Sequence, residues 1–80
     1  MTVTILLVED EPTLRTGTEQ FLRQRGFTVL TATSGEEALD KFAEADVIIL
    51  DIMLPGMSGI ETLHQIRQTS DVPVLMLTAL

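Results

Sequence analysis

The sequence predicts an α/β domain built on a parallel sheet, and three observations carry that expectation. Short, unbroken apolar runs rich in β-branched residues recur at residues 3–8, 47–50 and 74–77. They are too short for helices and are bounded by turn signals, as strands buried on both faces of a parallel sheet are. Segments with helical spacing of apolar residues separate the runs, which implies right-handed crossovers and helices on both faces of the sheet. Finally, these runs end abruptly on polar residues: Glu9-Asp10, Asp51 and Thr78.

Taken in order, residues 3–8 form the first strand and stop at Glu9-Asp10-Glu11. Pro12 supplies a pre-set φ for a first helical turn, with acids near the positive helix end. Leu14, Thr18, Phe21, Leu22 and Arg25 keep helical spacing, and Gly26 stops the helix. Gly17 inside it costs about 1 kcal/mol against Ala, which suggests close packing at that point. Residues 27–32 are a second strand, more alternating and suited to an edge. Ser34-Gly-Glu-Glu37 is a capping box opening a second helix, with Ala38, Leu39 and Phe42 as its apolar stripe. Val47–Asp51 is the third strand. Pro55, Gly56, Ser58 and Gly59 force a loop, and Ser58 with Glu61 opens a third helix that buries Ile60, Leu63 and Ile66. Val74–Leu77 is the fourth strand.

Composition bounds the function. Eighty residues make one small domain, and a chain this short buries only about 60% of its unfolded surface. A net charge of −7 argues against direct binding to nucleic acid or an anionic membrane and suits cations or basic partner surfaces. The absence of cysteine excludes disulfides, thiolate metal sites and thiol nucleophiles. No leader pattern or membrane-length apolar run occurs, so a cytoplasmic location is expected. The turn after the first strand, Glu-Asp-Glu-Pro, is not a glycine-rich phosphate cradle, and no other phosphate loop is present.

Strand ends on one edge of a parallel sheet face one cleft, where α/β folds place ligands. Glu9, Asp10, Asp51 and Thr78 are therefore expected to converge. Carboxylates this close take up protons or bind a cation, and oxygen donors without His or Cys select Mg2+, Mn2+ or Ca2+. Taken alone, Glu9–Glu11 serves equally well to charge a helix N-terminus, and Asp51 to cap a loop. His64 reads as a surface or boundary residue, and Met53, Met57 and Met76 as filler. Glu36, Glu37, Asp40 and Glu44 read as the solvated face of the second helix.

The runs Ile5-Leu-Leu-Val-Glu-Asp-Glu11, Asp51-Ile-Met-Leu-Pro-Gly-Met-Ser-Gly59 and Val74-Leu-Met-Leu-Thr-Ala79 together resemble the receiver domain of two-component response regulators. The resemblance covers the whole chain in register. It implies a flavodoxin-like fold with strand order 2-1-3-4 here. It further implies that Asp51 is the phosphoacceptor for a sensor histidine kinase. Mg2+, or Mn2+ in its place, would be ligated by Asp10, Asp51 and the Met53 backbone carbonyl, with Glu9 direct or through water. Thr78 would hydrogen-bond the phosphoryl oxygens, and Ala79 would keep the approach open.

By the same resemblance a full receiver has about 120 residues. Residues 1–80 would then be an N-terminal portion without the fourth helix, the fifth strand with its phosphate-binding Lys, and the fifth helix. Lys41, the only lysine, lies on the second helix and does not replace the missing one. The wording of the first two motifs is similar to the receivers fused to a C-terminal DNA-binding domain. Strand four is then left as an edge without lysines or bulges, and self-association across it is expected. Two other functions compete. A truncated, signalling-dead interaction fragment is one. An aspartyl-phosphate hydrolase is the other, but it wants an acid two residues after its nucleophile, where this chain has Met53.

Overall fold

A computed structural model describes residues 2–77. In chain order it contains β1 (Thr4–Val8), α1 (Pro12–Gln24), β2 (Thr28–Ala32), α2 (Gly35–Lys41), a 3-10 turn (Phe42–Glu44), β3 (Val47–Asp51), α3 (Gly59–Arg67) and β4 (Val74–Leu77). The four strands form one parallel sheet in the order β2-β1-β3-β4, the flavodoxin-like order expected from the sequence. β2 and β4 are the edges.

Leu6, Val8, Ala32, Ile48 and Leu50 point to one face, where they meet Ala38, Leu54 and Ile66 in the main core. Val74 and Met76 pack against that core from the edge strand. The side chains alternating with them face the other way. There α1 covers β1 and β2, burying Ile5, Leu7 and Val29. Beyond it Leu75 and Leu77, 55% and 42% exposed, stand uncovered. Asp46 ties the sheet at its other end, accepting from the Thr4 N–H at 2.8 Å across 42 residues of sequence.

Capping follows the sequence closely. Ser34 accepts from the Glu37 N–H and Ser58 from the Glu61 N–H, both at 3.1 Å. Glu37 is more than a solvated acid. It accepts from the Thr33 N–H and hydroxyl and from Lys41, and these bonds hold its carboxyl down to about 2. At the end of α1, Gly26 adopts φ +93°, the left-handed conformation that stops the helix.

Two expectations are corrected. Gly17 is not a close-packing site: a Cβ built there meets nothing within 4 Å. The stripe it belongs to looks outward, with Leu14 and Phe21 55% and 53% exposed. Ile60 is 48% exposed, while Thr62 is fully buried two positions on. The phase of α3 is set instead by close backbone approach. A Cβ on Gly59 would strike the Asp51 carbonyl oxygen and lie 2.7 Å from the Ile52 Cα, and one on Gly35 would strike the Thr62 hydroxyl. Thr62 satisfies that hydroxyl by donating to the Ser58 carbonyl at 2.8 Å.

The two glycines should respond to alanine with opposite signs. Gly17→Ala is expected to stabilise the fold by about 1 kcal/mol through helix propensity alone. Gly59→Ala is expected to cost about 1–3 kcal/mol or more, because backbone has to give way. Urea unfolding of both variants beside the parent chain measures the difference.

Candidate functional site

Parallel pairing builds the site. β1 and β3 align Val8 with Leu50, so the next residue of each strand, Glu9 and Asp51, leaves the sheet beside the other. Flanking strands clamp both ends. The Glu9 N–H donates to the Ala32 carbonyl of β2, and the Ile52 N–H donates to the Leu77 carbonyl of β4, each at 3.0 Å. Glu9, Asp10 and Asp51 each present a carboxylate oxygen, and the three oxygens lie within 4.8 Å of one another. Glu9 and Asp51 are 6% and 9% exposed, and Asp10 stands in solvent at the mouth.

Backbone N–H groups orient two of these carboxylates. Asp51 Oδ1 accepts from the Met53 N–H at 2.9 Å, and Glu9 Oε2 accepts from the Glu11 N–H at 3.0 Å. The Glu11 carboxylate instead caps α1, accepting from the Leu14 N–H at 2.6 Å. Of three consecutive acids, two serve the cluster and one serves the helix.

Burial raises the pKa of Glu9. The Glu11 N–H opposes that, and the nearby charges of Asp51 and Asp10 add to it. An anion so placed gains from a cation or a proton. The donors are all oxygen and close enough to share one ion, which fits a hard divalent cation such as Mg2+. Met53 is 68% exposed, and its contact with the cluster is the N–H that it donates to Asp51. Thr78 and Ala79 lie outside the described residues. Lys41 is committed elsewhere, donating to the Thr31 carbonyl at 2.7 Å and to Glu37 at 2.9 Å. His64 is exposed on α3, as the sequence suggested.

One side chain at the site is not legible from sequence pattern. Arg15 Nη1 donates to the Glu9 carbonyl at 3.1 Å and to the Asp10 carbonyl at 3.3 Å. Its only sequence signal is position: one turn beyond Pro12 a helix carries its side chain back over its own N-terminus.

Comparison with known proteins agrees with this geometry. The response regulator receiver domain family matches residues 5–80. The transcriptional regulatory protein AfsQ1 of Streptomyces coelicolor is 44% identical over 77 residues, covering 94% of this chain and 34% of that protein. The sensory transduction protein RegX3 of Mycobacterium tuberculosis is 47% identical over 77 residues, with the same two coverages. The chain thus spans about a third of the length of the curated relatives it matches. Among solved structures, response regulator TrrA of Thermotoga maritima in complex with Mg2+-BeF superposes with a TM-score of 0.91 at 41% identity, covering 99% of this chain and 71% of that one. Chemotaxis protein CheY4 of Vibrio cholerae gives 0.88 at 36% identity, covering 95% and 68%.

Crowding of the carboxylates should be visible in stability. Without divalent cations at pH 7, Glu9→Gln is expected to raise the thermal midpoint by roughly 4–8 °C, the shift that about 1 kcal/mol produces in so small a domain. The sign follows from a raised folded pKa: folded Glu9 holds its proton more tightly than unfolded Glu9, so the parent chain gains relative stability as pH falls through that value. The advantage of the Gln variant should therefore shrink on acidification. Midpoints of both chains from pH 7 down to pH 5 check this.

Proposed function

The chain belongs to the response regulator receiver domain family, and from that membership we propose that it is a phosphoacceptor, taking a phosphoryl group from a sensor histidine kinase onto Asp51. Receiver domains are signalling modules, and we take this chain as one rather than as an enzyme acting on other substrates. The observation that carries the reading is the placement of Asp51: 9% exposed at the end of β3, within 4.8 Å of two further acids.

The chemistry asks mainly for positioning and charge neutralisation. Asp51 Oδ1 accepts from the Met53 N–H, which leaves the other oxygen as the nucleophile. That oxygen forms a bond to phosphorus as the bond from phosphorus to the donor breaks, and the donor leaves with the electron pair. Asp10, Asp51, the Met53 backbone carbonyl and Glu9, the last direct or through water, would hold Mg2+ or Mn2+. Bound there, the cation neutralises the phosphoryl oxygens. The similar TrrA forms a complex with Mg2+-BeF, which supports a magnesium site of this kind. Thr78 would hydrogen-bond the transferred group, and Ala79 would leave it room.

These curated relatives are longer, and AfsQ1 is named as a transcriptional regulatory protein. We take residues 1–80 as the N-terminal portion of a receiver, in a cytoplasmic protein whose C-terminal effector domain binds DNA. No helix among the described residues is long and apolar enough to cross a membrane.

With acetyl phosphate and Mg2+, the chain is expected to gain one phosphoryl group at Asp51, seen by mass spectrometry and released by hydroxylamine. Asp51→Asn should abolish it. Phosphate on Thr78 or Ser58 with Asp51 unmodified overturns the mechanism. Leu75 and Leu77 stand uncovered on β4, whose outer edge meets no strand among the described residues, so the 80-residue chain is also proposed to self-associate, most simply as a two-fold dimer across β4. Sedimentation at low micromolar concentration should show a mass that rises with concentration; a cooperative monomer throughout removes the proposal.

A further inference from the structure

We propose that Arg15 is the positioning residue of the acidic loop, setting the directions in which Glu9 and Asp10 present their carboxylates to a cation. The proposal rests on the metal-binding reading given above. One guanidinium nitrogen, Nη1, donates to two successive carbonyls, at 3.1 Å and 3.3 Å. Those carbonyls belong to the peptide planes on either side of the Asp10 Cα. Holding both toward α1 fixes ψ of Glu9, φ and ψ of Asp10, and φ of Glu11. The Glu11 N–H, donated to Glu9 Oε2, then lies where the Glu9 carboxylate needs it. A planar, rigid donor group is suited to this in a way a flexible ammonium is not.

The other four cations are spent elsewhere. Arg23 serves Glu19 and the Val29 carbonyl, Arg67 serves the Ser70 and Val72 carbonyls, Lys41 serves Glu37 and the Thr31 carbonyl, and Arg25 lies over the Phe21 ring at 4.6 Å. Among the described residues, Arg15 alone of the arginines and lysine reaches the loop. It does so from a helix whose start is itself fixed by Pro12 and the Glu11 cap, so the loop inherits the rigidity of α1.

Two roles for Arg15 differ in sign. As a bare positive charge beside the cluster it repels a divalent cation, and its removal should tighten binding. As a positioner it organises the ligands, and its removal should weaken binding. Outer-shell partners of metal ligands are typically worth about 10–100-fold in affinity.

The test measures Mn2+ affinity by electron paramagnetic resonance for the parent chain, Arg15→Gln, Arg15→Lys and Arg25→Gln. The last makes the same charge change far from the loop. Amide spectra of residues 9–11 are recorded without metal. Arg15→Gln is expected to weaken Mn2+ binding about tenfold, with Arg15→Lys between it and the parent and Arg25→Gln unchanged. Amide resonances of residues 9–11 should shift while those of α3 stay. Affinity in Arg15→Gln equal to or above the parent's overturns the proposal. If Arg15→Gln does not fold, Arg15→Lys decides: weaker binding supports the proposal and parental binding overturns it. A parent chain that takes up no Mn2+, but whose residues 9–11 shift in Arg15→Gln, refutes the metal reading and leaves the positioning intact.

Discussion

Everything functional in this fold follows from putting like charges side by side at the ends of two paired strands. Val8 and Leu50 are register partners in the centre of a parallel sheet, and the chain has no freedom to separate the residues that come next. Glu9 and Asp51 are thus held together by the hydrogen-bond ladder and by the core beneath it, against their own repulsion. The apolar strands supply the force, and Glu9 stores part of it as a raised affinity for a proton.

Around that constraint the surrounding parts divide the work. β2 and β4 clamp the two strand ends through the Ala32 and Leu77 carbonyls. Met53 and Glu11 supply N–H groups that orient the acids. Gly59 lets α3 begin directly against the Asp51 and Ile52 backbone, which keeps the loop after Asp51 short and supported. Each of these contacts limits where the acids stand.

Much of this is legible in the sequence, for physical reasons. Strands with buried faces read as apolar runs, so β1, β3 and β4 stand out, as do the acids that end β1 and β3; that Leu75 and Leu77 of β4 are exposed does not show in the run itself. The serine caps stand out because Ser34 and Ser58 each precede a glutamate at the spacing a helix start requires. The resemblance to receivers supplies the strand order and the assignment of roles. What stays hidden depends on contacts between elements. The burial of Thr62 in place of Ile60 reflects the close approach of Gly35 and Gly59, which no periodicity records. Gly17 misleads because a helical glycine has the same sequence signature whether its face is packed or open. Arg15 acts through backbone carbonyls, and carbonyls carry no residue type.

The bond from the Thr4 N–H to Asp46 across 42 residues marks how far apart in sequence the two halves of the site are. No hairpin shortens the route: each strand reaches its neighbour only after an intervening helix has formed and packed. Closing β1 against β3 is therefore one of the more costly, late-rewarded steps in folding. The carboxylates meet only when that step is complete, so their repulsion weighs on the finished state far more than on the path toward it. A cation that relieves the repulsion then acts chiefly on the rate of opening. The acidic cluster and the lifetime of the folded state are joined at one strand pair.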